Sequence, residues 1–227
     1  KSTMKKKKKK LDIIYEDKEI LVINKPSGIL TVSTLKEKER TLFHEASEYV
    51  KKSNPKAKIF IVNRLDRDTS GLVLFAKTQS IKYAYQNSWD KLAIKRGYVA
   101  IVKGKMDNEK GTIKSYLKEI KTLLVYSSND KTNGKLAITN YSVIKENKKY
   151  SMLNIEIKTG RKNQIRVHLN DINHPILGDK KYGNVKSPAN RLMLHANLLV
   201  LVNPKTNKKM EFESKIPKSF ENLFNNN

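Results

Sequence analysis

The segment between residues 63 and 71 reads Asn63-Arg64-Leu65-Asp66-Arg67-Asp68-Thr69-Ser70-Gly71. Two short apolar runs, residues 59–62 and 71–76, flank it, and their length and composition predict two strands. The polar segment is therefore a loop between strands, and loops on a rigid scaffold are where catalytic groups concentrate. The alternative is an ordinary turn in which Asp68 or Thr69 hydrogen-bonds the local backbone.

Apolar periodicity elsewhere predicts both strands and helices. Residues 13–15 and 20–24 form a hairpin, and Thr41 caps a helix that ends at residues 54–55. With no repeat and no internal linker, this order predicts one α+β domain over residues 11–227, with a mixed, largely antiparallel central sheet flanked by helices. The other predicted elements are a helix near 80–89, strands at 98–102, 122–126, 138–144 and 152–157, a helix at 163–170, strands at 192–202 and 210–213, and a helix after Pro217.

The composition favours a basic, soluble protein that binds nucleic acid. The chain has 227 residues with 47 Lys plus Arg and 22 Asp plus Glu, and 47 − 22 gives a net charge of +25. Removing the seven lysines within residues 1–10 still leaves +18, so the charge belongs to the folded body and suits a long phosphate backbone. A membrane surface is the competing partner, but we find no apolar run of spanning length and no lysine-rich helix with a strong apolar face.

The chain contains no cysteine. This excludes thiol nucleophiles, disulfides and thiolate zinc sites, so any chemistry must come from oxygen, nitrogen or histidine groups. The absence of disulfides, with no apolar signal core after the basic start, predicts a cytoplasmic protein. We also expect a monomer, because no long amphipathic helix is left without a core to cover.

Residues 1–10 consist of Lys-Ser-Thr-Met followed by six lysines. A self-repelling run without apolar periodicity predicts a basic, disordered linker or tail. A cloning remnant and an RNA-tethering arm are both consistent with such a run.

A second cluster of polar residues lies at 159–168. Arg161 falls at a strand-to-helix turn, and Arg166 lies beside an apolar stripe formed by Ile165 and Leu169. An arginine beside an apolar core needs an anion as its partner, and an aspartate that stays ionised in a cleft needs a cation nearby. Arg166 is therefore a suitable cation for an aspartate of the loop at 63–71. A solvated surface arginine is the alternative. Tyr98, at the start of a predicted strand, fits a core tyrosine on pattern alone.

Taken together, these segments resemble the RluA-type pseudouridine synthases. Residues 63–77 match the family signature His-Arg-Leu-Asp-x-x-Thr-Ser-Gly-Leu-x-x-x-Ala-Lys except at its first position. Residues 160–168 match the later motif Gly-Arg-x-x-Gln-Ile-Arg-x-His, although Asn163 stands where a histidine is common in the family. The resemblance runs from about Leu11 to Phe220, and shorter fits lie at 24–28, 175–183 and 194–196.

The resemblance implies an enzyme that isomerises uridine in structured rRNA or tRNA without a cofactor or a metal. It makes Asp66 the catalytic aspartate and Arg166 its partner, with Tyr98 stacking on the uracil and accepting the C5 proton. Arg64 would enter the RNA stack as the target base leaves. The remaining RNA-binding positions expected from the motifs are Arg67, Lys77, Arg161 and Gln164.

The chain departs from the family pattern at two positions, where Asn63 and Asn163 replace histidines. Asparagine keeps hydrogen bonding but cannot change its charge near neutral pH. We also expect the S4 RNA-binding domain of many relatives to be absent from this chain. A non-catalytic RNA-binding protein is one rival. A metal-dependent nuclease using Asp66 and Asp68 is another, but the flanking arginines oppose a divalent cation.

Overall fold

The computed structural model describes residues 10–34, 37 and 40–225, so the predicted tail at 1–10 lies, except for Lys10, outside the described residues. Strands and helices follow one another along the described chain. Their bounds are β1 Ile13–Glu16, β2 Ile20–Lys25, α1 Leu42–Ser53, β3 Phe60–Ile61, β4 Ser70–Ala76, α2 Gln79–Asn87, α3 Trp89–Leu92, β5 Ala93–Lys103, β6 Lys110–Glu119, β7 Val125–Ser128, β8 Lys135–Glu146, β9 Tyr150–Ile157, α4 Gln164–Asp171, β10 Leu194–Val202, β11 Lys209–Glu213 and α5 Lys218–Glu221.

The strands form one sheet in the order β1-β2-β4-β10-β5-β9-β8-β6-β7, with β11 paired to β10 and β3 paired to β4. The β4–β10 pair is parallel, and the other pairs are antiparallel. The prediction of a mixed, largely antiparallel sheet flanked by helices is therefore confirmed.

Most predicted elements are present, with shifted bounds. Thr41 caps α1 as expected, since its Oγ1 accepts a hydrogen bond from His44 N. The predicted helix near 80–89 is interrupted at Ser88, where the backbone leaves the helical region and separates α2 from α3. The predicted strand at 122–126 begins only at Val125, and the sequence analysis missed β6 altogether. In β6 the buried residue is Leu117, so the strand lacks the apolar alternation that reveals a strand.

The two faces of β4 carry separate cores. Leu72 and Leu74 pack with α2 on one face, whereas Val73 and Phe75 pack with α1 on the other. A strand covered on both faces reads as a continuous apolar run rather than an alternating one. Because both faces of β4 are buried, the strand gives the preceding polar loop a rigid attachment.

Gly71 permits a close approach between β4 and β10. Its φ is +120°, and a Cβ at this position would lie 2.2 Å from Ala196 O. Only a residue without a Cβ fits such a contact. The parallel pairing places the start of β4 beside the start of β10, and β10 pairs in turn with β5. The loop before β4 is thereby delivered to the part of the sheet that contains Tyr98.

Candidate active site

The loop between β3 and β4 is held through its backbone by the segment that follows β2. Thr31 Oγ1 donates to Leu65 O at 2.7 Å and accepts from Leu65 N at 3.1 Å. Ser27 Oγ donates to Asp68 O at 2.6 Å. A local turn is also present, as the alternative interpretation predicted, but backbone groups close it, with Thr69 N donating to Asp66 O.

A buried lysine completes this attachment. Lys25 Nζ donates to Pro26 O at 3.0 Å, Ile29 O at 2.8 Å and Arg67 O at 2.9 Å. Burial lowers the pKa of Lys25 to about 7, although the charges of Asp68 and Asp66 act against that shift. Lys25 lies in the 24–28 segment of the family resemblance, but the sequence predicted no role for it. The available signal was its position just after the apolar run at 20–23.

The catalytic aspartate and arginine expected from the sequence lie together. Arg166 Nη1 is 3.5 Å from Asp66 Oδ2, and the two side chains are 13% and 44% exposed. Asp66 projects from the β3–β4 loop, whereas Arg166 lies in the first turn of α4. Residues 100 positions apart therefore form one ion pair, with the carboxylate on its open side.

Asp179 is the second anion at Arg166. Its carboxylate accepts two hydrogen bonds from the guanidinium, both at 2.8 Å, and is buried. Burial acts to lower the pKa of Arg166, but the hydrogen bonds and charge of Asp179, with the charge of Asp66, raise it overall. Asp179 is a site residue that was not predicted from the sequence. The available signal was an acidic residue directly after the apolar residues and glycine of 175–178.

Each of the two asparagines that depart from the family pattern has a hydrogen-bonding role. Asn163 caps α4 in the left-handed region, at φ 55°, a conformation that asparagine tolerates. Its Oδ1 accepts from Arg166 Nη1 at 3.2 Å, and its Nδ2 donates to the Tyr182 hydroxyl at 3.1 Å. Asn63 Oδ1 accepts from Leu74 N at 2.8 Å, so it extends the pairing of β3 with β4.

Tyr98 lies in β5, between the core clusters that pack under α1 and α4. Burial raises its pKa to about 12, with Arg96 acting to lower it and Asp66 to raise it further. The phenol therefore keeps its proton near neutral pH. This environment suits a packing surface and hydrogen-bond donor, and it opposes the phenolate that a proton acceptor requires.

Arg64 and Arg67 are exposed on either side of Asp66. Arg161 is also exposed, and its Nε donates to Leu136 O at 3.0 Å. Arg64 and Arg67 flank Asp66 in the sequence, and Arg161 precedes α4; their contact with RNA stays a prediction. The other two RNA-binding predictions are placed differently.

Gln164 is buried, and its amide hydrogen-bonds the backbone of Ile138 and Arg161 and the hydroxyls of Thr139 and Thr159. It therefore fixes the turn before α4. Lys77 follows the far end of β4, about 20 Å from its start, and pairs with Glu16 at 2.8 Å. Neither contact involves Asp66, and the binding of both residues to RNA stays a prediction.

A chain of buried polar groups lies under the end of the loop. Arg191 Nη2 donates to Ser70 Oγ at 2.6 Å, and Ser70 Oγ lies 2.8 Å from His195 Nδ1. His195 Nε2 lies 2.9 Å from Ser214 Oγ. Burial lowers the pKa of His195 to about 4, and the charge of Arg191 contributes. This network ties the start of β4 to the C-terminal part of the described chain.

Within the described ranges, no three or more His, Cys, Asp or Glu side chains are grouped closely enough to hold a metal ion. Over the same residues, no helix is both long and apolar enough to cross a membrane. The chemistry available around Asp66 is that of a half-exposed carboxylate beside a guanidinium. Such a carboxylate can act as a nucleophile or as a base.

Comparison with known proteins gives a consistent result. Residues 19–171 match the model of a family described as RNA pseudouridylate synthase. The tRNA pseudouridine synthase C of Haemophilus ducreyi is 33% identical, over 95% of this chain and 95% of its own length. The ribosomal large subunit pseudouridine synthase D of Borreliella burgdorferi is 38% identical, over 92% of this chain and 66% of its own length.

An uncharacterized RNA pseudouridine synthase of Mycoplasma pneumoniae is 34% identical, over 95% of this chain and 70% of its own length. Among solved structures, human RNA pseudouridylate synthase domain containing 4 has a TM-score of 0.78 at 22% identity, covering 94% of this chain and 93% of that one. The likeness to the human protein concerns the fold.

Proposed function

Because the chain belongs to the RNA pseudouridylate synthase family, whose members are RNA isomerases, we propose that it converts uridine to pseudouridine in structured RNA with Asp66 as its catalytic carboxylate. The observation that carries this assignment is the ion pair between Asp66 and Arg166, 3.5 Å apart. It brings the two charged groups of separate family motifs into one site.

The reaction breaks the N1–C1′ bond of uridine, turns the detached uracil and forms a C5–C1′ bond. The proton lost from C5 is balanced by one gained at N1, so the reaction is redox-neutral and side chains suffice. Asp66 would act at the ribose, by attacking C1′ or by removing a proton from C2′. Both routes need an ionised carboxylate beside an electron-poor sugar carbon, as in glycosidases. Arg166 would orient Asp66 and balance its negative charge.

We assign Tyr98 to packing against the uracil. Its raised pKa of about 12 means that it would accept the C5 proton only if the bound substrate first lowered that value. Replacing Tyr98 with Phe separates these roles, since phenylalanine keeps the packing surface and removes the hydroxyl. A large fall in kcat with unchanged affinity would return the proton transfer to Tyr98.

Exposed arginines would handle the RNA. A base cannot react inside a helix, so it must leave the stack, and the planar guanidinium of Arg64 is suited to fill the gap. Arg67 and Arg161 would contact phosphates and position the RNA without reading its sequence. The positive charge of the chain, +25 overall, supports this proposal.

The relatives named above leave two substrate classes, since one is named for tRNA and another for the large ribosomal subunit. We propose that the target uridine lies in one of these RNAs. Pseudouridine mapping of both, by carbodiimide modification and primer extension in cells with and without the gene, tests this. Loss of a discrete site, restored by wild type and not by Asp66→Asn, is the expected result. An unchanged map would favour a non-catalytic RNA-binding protein.

A further inference from the structure

The turn that joins β6 to β7 exposes an unusual amount of apolar surface. Leu123 is 60% exposed, and Ile120 and Tyr126 are each 42% exposed. These are three of the seven large hydrophobic residues that the described chain exposes. We refer to residues 120–126 as the apolar turn. Clustered exposed apolar residues on a protein with this charge indicate a contact surface.

The apolar turn also holds a strained residue. Leu123 has φ 62°, in the left-handed region, and every other non-glycine residue with positive φ in the described ranges is an asparagine. The side chain of leucine, unlike that of asparagine, cannot form a local hydrogen bond that offsets the strain. Strained residues of this kind concentrate at functional sites. The apolar side chain is therefore kept at a position where asparagine would be easier to accommodate.

Hydrogen bonds connect the apolar turn to the candidate active site. Lys181 Nζ donates to Leu123 O at 2.6 Å, and Val125 N donates to the Tyr182 hydroxyl at 3.1 Å. The same hydroxyl accepts from Asn163, whose side chain also holds Arg166. The turn is thus attached to the residues that hold Arg166.

The surroundings of the turn are basic. Residues 114–135 contain five lysines and two acidic residues. Lys162, in the segment just before α4, pairs with Glu119 at the end of β6. Lys121, within the apolar turn, is exposed. Exposed apolar groups with a lysine-rich border suit a polyanion that also offers flat apolar surfaces. RNA with unstacked bases has both properties.

We propose that the apolar turn packs against an unstacked base of the RNA next to the target uridine. This inference rests on the proposed function, because it places the target at Asp66. Ile120 and Leu123 would cover the face of the base, and Tyr126 would offer a ring for stacking. The lysines around the turn would hold the flanking phosphates.

Leu123→Asn is the sharpest variant, because asparagine is favoured in the left-handed region and removes the apolar side chain. It should fold at least as stably as wild type. The KM for the RNA identified by mapping should rise about fivefold or more, with kcat within about twofold of wild type. Ile144→Asn is the matched control, since Ile144 is 44% exposed near the far end of β8 and should leave KM unchanged.

A second readout does not depend on turnover. The photoreactive residue benzoylphenylalanine is placed at position 123 or, as control, at 144, and each protein is irradiated with total cellular RNA. Crosslinks to RNA from 123 and not from 144 are expected. The inference is overturned if position 123 gives no RNA crosslink, or crosslinks to a second copy of the chain, while wild type is active. RNA crosslinks from position 123, together with a wild-type protein that shows no turnover, would contradict the proposed function and still support a contact of the apolar turn with RNA.

Discussion

The two segments that meet at the candidate site are built in opposite ways. The β3–β4 loop is held through its backbone, by Ser27, Thr31 and Lys25, and its charged side chains are left free to face outward. The start of α4 is held through side chains, with Arg166 bound by Asp179 and Asn163. This difference supports the proposed roles, in which Asp66 is the accessible reacting group and Arg166 is a fixed support.

The largest effect is expected from Asp66→Asn. The change keeps the shape of the side chain and removes its charge, so turnover should fall by at least about 1,000-fold, the scale seen when other enzymes lose a reacting group. RNA affinity and the free energy of unfolding should change little, because a half-exposed ion pair contributes at most about 1 kcal/mol. Single-turnover assays and urea denaturation measure both quantities. Normal turnover would contradict the assignment of Asp66.

Asp179→Ala tests whether side-chain contacts hold Arg166 in place at the start of α4. It leaves Arg166 without its two-bond partner in a buried setting, and breaking a buried pair from one side costs about 3 kcal/mol. The free energy of unfolding should fall by that amount in urea denaturation, and turnover should fall as Arg166 moves. If Asp179→Ala is as stable as Asp66→Asn, the two segments do not differ as described.

Low pH should also lower the free energy of unfolding through α4, the helix that carries Arg166. Burial lowers the pKa of His168 in α4 from about 6.5 to about 4. Below pH 6.5 the unfolded chain therefore binds a proton that the folded chain does not, and stability falls until the pH reaches about 4. The loss is about 3 kcal/mol at most. His168→Gln should flatten this part of the curve of unfolding free energy against pH. His195, with the same shift, should remain as a second contribution.

The smallest effects compare two basic residues of the family motif. Arg64→Ala removes an exposed guanidinium beside Asp66 and should raise the Kd for substrate RNA about tenfold. Lys77→Ala removes a residue at the far end of β4 that pairs with Glu16, and should change Kd by less than about twofold. Filter binding with the RNA identified by mapping measures both. Equal losses would return Lys77 to the RNA surface.

Much of the site could be predicted from the sequence because its parts lie in short motifs with local signatures. The pattern of a polar loop between two apolar strands located the loop at 63–71, and the need of a semi-buried arginine for an anion linked Arg166 to that loop. The family resemblance singled out Asp66 and its pairing with Arg166. The helix after Thr41 and the first hairpin followed from capping and periodicity. Each of these signals spans a few residues, so one sequence is enough to detect it.

The missed and misplaced residues depend on contacts between distant segments. Gln164 looks like a ligand-binding residue in its motif, but its burial is set by β8, some 25 residues earlier. Asp179 and Lys25 owe their roles to partners that pack against them only in the folded chain. The strand β6 escaped detection because it is held by backbone pairing with β8 and buries little apolar surface.

The parallel pairing of β4 with β10 also determines when the site can form during synthesis. Ser70 and His195 hydrogen-bond across 125 positions of sequence, so β4 has an open edge until most of the chain has been translated. Contacts between such distant residues form late in folding. A ribosome-bound chain that ends before β10 would have β4 paired with β2 and β3, but its first two residues would lack the strand that pairs with them in the complete fold. The arrangement around Asp66 is complete only after both α4 and β10 have been made.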